Sequence, residues 1–147
     1  MISNRCHYAL RAMLELALRE GRGPVTISEI ATTQNIPVRF LEAILRQLKQ
    51  DGLADSVRGK EGGYLLARKA HDISVGEVIR IFEGPFIWTA ESVSQRGSRD
   101  DEQREALADV WREAEQALTT VFDQHSFGDL AEREHQRTLT RASNYSI

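Results

Sequence analysis

The sequence holds a single cysteine, Cys6, only three prolines, and no apolar run longer than the four residues Tyr64–Ala67. One cysteine excludes an internal disulfide. A transmembrane helix needs about 20 consecutive apolar residues, so none is expected. The opening Met1-Ile2-Ser3-Asn4-Arg5 leads into an interrupted apolar pattern rather than a signal-peptide core. These absences point to a cytoplasmic protein with no membrane partner. Catalytic signatures are missing too. There is no P-loop, no serine-hydrolase elbow, no HExxH and no CxxC, and His7, His71, His125 and His135 lie far apart. No catalytic residue, no metal ligand set and no enzyme activity is therefore expected.

What is present is ordinary in bulk and uneven in distribution. At 147 residues, with 41% hydrophobic and 28% charged residues, the chain suits one soluble domain with an appendage. The net charge of −3 conceals a split: residues 1–70 hold 11 Lys and Arg against 7 Asp and Glu, and residues 71–147 hold 8 against 15. A basic working half and an acidic partner half fit that asymmetry.

The basic half begins with an amphipathic helix over residues 5–19, where Ala9, Ala12, Met13, Leu16 and Ala17 share a face. Thr26-Ile27-Ser28-Glu29 is a capping box that opens a short helix from Ile27 to about Thr33. After Gln34-Asn35-Ile36, Pro37 suits the first turn of a further helix. Leu41, Ile44, Leu45 and Leu48 form its buried stripe, and Gly52 sits where a left-handed cap belongs. Its other face carries Arg39, Glu42, Arg46 and Lys49. Two short helices so joined make a helix-turn-helix pattern. Leu53–Val57 and Tyr64–Ala67 then read as a hairpin whose tip, Arg58-Gly59-Lys60-Glu61-Gly62-Gly63, combines glycine with basic charge. Directly after a helix-turn-helix, such a tip suits contact with a DNA groove.

Ser74-Val75-Gly76-Glu77 opens another capped helix, which Gly84-Pro85 ends. Residues 86–103 read as a long loop, with Phe86-Ile87-Trp88 unusually apolar and Ser94–Gln103 polar enough to be mobile. A long helix is expected over Glu105–Gln124. Its stripe of Leu107, Val110, Trp111, Ala114, Leu118, Val121 and Phe122 suits packing on a twin, with a helix folded back on its own domain as the alternative. A short closing helix, Phe127–Glu134, and a loose end, Arg137–Ile147, complete the chain. The expected fold is mainly α with a small β-hairpin wing. It divides into a winged helix-turn-helix unit at 1–84, a loop with a candidate effector or partner site at 85–104, and a dimerisation helix with a C-terminal segment at 105–147.

The stretch Ser56-Val57-Arg58-Gly59-Lys60-Glu61-Gly62-Gly63-Tyr64-Leu65-Leu66 resembles the wing of the Rrf family of bacterial winged-helix transcriptional regulators, the IscR, NsrR and CymR type. Tyr8-Ala9-Leu10, Ile30-Ala31, Phe40-Leu41-Glu42, Val75–Arg80 and Glu83-Gly84-Pro85 extend the likeness over nearly the whole chain. The resemblance implies a sequence-specific homodimeric repressor on a palindromic operator of double-stranded DNA. It implies that Arg39, Phe40, Glu42 and Ala43, with Arg46 along the same helix, face the major groove, where a Glu42 carboxylate suits cytosine N4. It assigns Arg58, Gly59, Lys60, Gly62, Gly63 and Tyr64 to the wing, and Arg5 and Ser28 to phosphate contacts.

Many members of that family bind an iron–sulfur cluster through three cysteines in the loop before the long helix. Residues 86–104 here contain none, and Cys6 alone cannot replace them, so no cofactor is expected. In this respect the chain looks more like the CymR branch, controlled through a regulatory protein partner. Three sensor candidates stay open. The loop around Trp88 suits partner docking, a small-molecule effector suits the neighbourhood of Trp88 and Trp111, and Cys6 suits a thiol switch if Arg5 and His7 stabilise its thiolate. Against these stand an inert Cys6 and a His7 that is merely a surface or interface residue. A different class, a protein-interaction module on a winged-helix scaffold with little or no DNA binding, is suggested by the overall acidity and by Phe86–Trp88.

Overall fold

The structure, a computed structural model, describes residues 2–85 and 100–146, the side chains of 100–104 excepted. The first helix, α1 (Asn4–Leu18), is the hub against which most of the molecule packs. Ser3 caps it by accepting the Cys6 N–H at 3.2 Å. Ala9, Ala12, Met13 and Leu16 are buried on one side, as the periodicity requires. Glu15 is buried with them, and its carboxylate accepts from Arg19 Nε at 2.8 Å and from Gln34 Nε2 at 2.9 Å. A buried carboxylate is tolerated only when its lone pairs are met. Here the requirement ties α1 to α2 (Ile27–Gln34).

The capping box that opens α2 is present in both directions, with Glu29 N–H on Thr26 Oγ1 at 3.2 Å and Thr26 N–H on Glu29 Oε2 at 3.1 Å. Asn35 ends α2 in the left-handed region, φ 52°, which asparagine tolerates better than most residues. Pro37 stands one place earlier than the sequence suggests, at the N-cap of α3 (Val38–Gln50) rather than in its first turn. Leu41, Ile44, Leu45 and Leu48 are all buried. At the far end Gly52 has φ 77°, its N–H donates to Lys49 O at 3.1 Å, and Leu53 N–H donates to Leu48 O at 2.9 Å. Those two bonds make a Schellman cap that turns the chain straight into the hairpin.

The hairpin pairs β1 (Ala54–Val57) antiparallel to β2 (Gly63–Leu66), from Ala54↔Leu66 to Val57↔Gly63. A partner absent from the sequence reading lies alongside: Val25 exchanges backbone bonds with Tyr64 at 2.7 and 2.8 Å. A short 3-10 turn, Ala70–Asp72, follows, and its first N–H is met by Glu20 Oε2 at 2.8 Å.

α4 (Val75–Glu83) buries Val78 and Ile79 and leads towards α5 (Asp100–Gln124), with α6 (Phe127–Asn144) last. The helix α5 begins at Asp100, five residues before the expected start. α6 runs through Arg137–Asn144, where a loose end is expected from sequence. Its N-terminus is fixed by a Ser126–Asp129 capping box and by Phe127 N–H on Ile73 O at 2.9 Å. Phe127 and Ala131 are buried in the same core as Met13, Ile30 and Leu45. The C-terminal segment is therefore partly built into the N-terminal unit. No helix among the described residues is long and apolar enough to cross a membrane.

Candidate nucleic-acid interface

α3 presents to solvent the side opposite its leucine stripe. Arg39, Phe40, Glu42, Ala43, Arg46 and Lys49 are all exposed there. Lys49 Nζ donates to Ser56 Oγ at 2.5 Å, which holds β1 against the end of α3 and fixes the wing beside the helix face. Arg58 and Lys60 stand exposed at the wing tip, and neither has a hydrogen-bond or ion-pair partner among the described residues. Uncompensated cations on a rigid support are what phosphate contact requires.

The glycines at the tip are needed for steric reasons. A Cβ on Gly62 would fall 2.2 Å from Val57 O. One on Gly63, whose φ is 151°, would fall 2.3 Å from Val25 O. Tyr64 is only half-exposed and packs on the core, with its backbone bound to Val25. It anchors the base of the wing and lies away from the tip.

Ser28 is exposed near the start of α2. Arg5 is exposed but engaged: its Nη2 donates to Gln47 Oε1 of α3 at 2.8 Å, and its guanidinium lies 5.4 Å from the Phe82 ring centre. It braces α1 against α3 as well as offering charge. Tyr8, cited in the sequence only as part of a motif, stacks on Phe40 with centres 6.2 Å apart and planes at 27°. Nothing in the spacing of α1 marks it as a site residue, because it stands at the margin of the apolar stripe.

The sensor candidates fare differently. Cys6 is fully buried, and its thiol is pushed up from 9.0 to about 11 by burial and then by the carboxylate of Glu83. The expectation that Arg5 and His7 stabilise a thiolate is corrected by this: the charge acting on Cys6 is negative, and the neutral thiol is favoured. Glu83 itself is held below its ordinary value by hydrogen bonds from the Ser3 hydroxyl and N–H. His7 is exposed. Trp88, with the whole of Phe86–Ala90, lies outside the described residues.

On α5, Leu107, Val110, Trp111 and Val121 are between 41% and 56% exposed, while Ala114, Leu118 and Phe122 are half-buried. The helix is held at its C-terminal end, where Arg80 Nη2 of α4 reaches Asp123 Oδ1 at 2.9 Å and Ser74 Oγ reaches it at 3.4 Å. Among the described residues no three His, Cys, Asp or Glu side chains come together as metal ligands.

Comparison with known proteins accords with this geometry. The family model Rrf2, described as an iron-dependent transcriptional regulator, matches residues 2–133. The transcriptional regulator CymR of Bacillus subtilis is 35% identical over 130 residues, 88% of this chain and 88% of the relative. IscR of Klebsiella pneumoniae is 32% identical over 149 residues, 95% of this chain and 90% of the relative. The solved structure of B. subtilis CymR, described as that organism's global cysteine regulator, superposes with a TM-score of 0.73 at 32% identity. It covers 90% of this chain and 97% of that one. The iron in the family's description finds no thiolate set here: the one cysteine is buried in α1, and residues 86–104 hold none, so the donors present do not fit a cysteine-ligated cluster.

Proposed function

The chain belongs to the Rrf2 family and is a DNA-binding transcriptional regulator, and from that premise we propose that it acts as a homodimeric repressor free of an iron–sulfur cluster. In this reading α3 lies in the major groove of each half of a palindromic operator and the wing tip enters the adjoining minor groove. The observation that carries it is a pair of cations, Arg58 and Lys60, without a partner among the described residues and set beside the polar face of α3 by the Lys49–Ser56 bond. The exposed apolar residues of α5 support a second copy of the chain as its partner.

Control falls to a protein partner or a small ligand. The thiol option loses its support because Cys6 is buried and its thiolate disfavoured. The test is selection of genomic fragments by the purified protein, followed by gel-shift titration and transcription from the selected promoters. The expected result is an inverted repeat bound by two copies of the chain, with transcription falling as protein is added. An asymmetric site bound by one copy, or transcription that rises with protein, would overturn the reading.

A further inference from the structure

Between the start of α1 and the start of α3 lies a hollow for which phosphate contact gives no reason. Asn4, Arg5, Tyr8, Arg39, Phe40 and Ala43 enclose about 470 Å³, and the surface they present is mainly apolar. Its centrepiece is Phe40, a large ring left 45% exposed on a helix whose core side is already filled by four aliphatic residues. The ring is held in place: Tyr8 stacks on it, and the Arg39 guanidinium lies 4.7 Å from its centre. Ala43, on the next turn, is small enough to leave the hollow open.

A phosphate gains nothing from such a surface, and neither does a hydrogen-bonding base edge. On the major-groove edge of a base pair the apolar group is the C5 methyl of thymine. Arg5 and Arg39 on the rim offer positive charge to the flanking backbone, and the part of the ring that Tyr8 and Arg39 leave exposed is available to the base. We propose that Phe40, backed by Tyr8 and with Ala43 beside it, is a specificity-determining residue that receives the C5 methyl of a thymine in each half-site. The inference rests on the reading of α3 as the major-groove helix.

The probe is the selected operator with each thymine replaced in turn by deoxyuridine, which removes the methyl and keeps every hydrogen-bonding group. The wild-type protein is expected to lose about fourfold in affinity at one thymine per half-site, the factor that corresponds to burying a single methyl group. Phe40→Ala should show no loss at that position, and Phe40→Leu should keep part of it. Phe40 is outside the core, so both variants should melt with the wild type. The measurement on the wild type stands even if they do not. Selective binding in which no thymine is sensitive to loss of its methyl overturns the inference alone. So does a methyl effect that persists undiminished in Phe40→Ala. Binding without any sequence preference overturns the groove reading of α3, and this inference with it.

Discussion

Arg58 has no partner among the described residues, and the wing that carries it is held by backbone bonds and by Lys49 rather than by Arg58 itself. Its removal should therefore touch function and leave the fold alone. Arg58→Ala is expected to weaken operator binding and to lower the slope of log K against log salt by about 1, with stability unchanged within about 0.5 kcal/mol. Gel shifts across a salt series, with a thermal melt beside them, check both halves. Cys6 is the opposite case. Its folded-state pKa is raised, so its contribution to stability is complete below the ordinary value of 9.0 and is lost as pH rises towards about 11. Stability should fall across that window in the wild type, and Cys6→Ala should lack that part of the decline. At neutral pH the thiol should react with a disulfide reagent only as fast as the protein opens. The burial follows from the spacing, since position 6 stands three before Ala9 and seven before Met13 on the same face, but the Glu83 carboxylate comes from α4 and leaves no local pattern. Arg39, Glu42 and Arg46 were legible, since the leucine stripe on α3 leaves them one direction in which to point.

At the scale of elements, α2, α3 and α4 were readable because capping residues and apolar spacing coincide at their ends, as the Thr26–Glu29 and Ser74–Glu77 boxes illustrate. The Val25–Tyr64 bridge was not, because one residue pairing across about forty positions leaves no local pattern. The continuation of α6 to Asn144 was hidden for a different reason. Its last turns are exposed, so no apolar period marks them, and they stand on backbone bonds and propensity. Two predictions belong here. Gly63→Ala should cost more than about 1 kcal/mol, since the new Cβ meets Val25 O in a backbone region closed to alanine. It should also disorder the wing enough to reduce DNA affinity, which urea unfolding and gel shift would each register. Ser126→Ala removes one side of the box that starts α6 and should cost about 1 kcal/mol by the same unfolding assay.

For the whole molecule, the charge split has a spatial meaning. The basic surplus of residues 1–70 falls on α1, α3 and the connecting residues Arg19, Arg22, Arg68 and Lys69, while α2 carries only Glu29 and the hairpin is balanced; the acidic surplus falls mainly on α5. If α5 forms the seam of the proposed dimer, a double substitution of Leu107 and Trp111 by glutamate, on the exposed stripe, should leave only monomer in sedimentation. Operator affinity should then fall steeply, since two half-sites are no longer engaged by one molecule. The melting of the isolated chain should change little.

The burial of Phe127 against α1 has one more consequence, and it concerns time. A ribosome lays down the chain at about 5–20 residues per second. All the residues proposed to face the groove are thus made before Phe127, which is buried in the core where α6 meets α1 and the 3-10 turn. Until it arrives, the nascent reading head has a hole in its centre. A chain that stops before α6 is therefore expected to fold less stably, and an interrupted translation product should compete poorly for DNA.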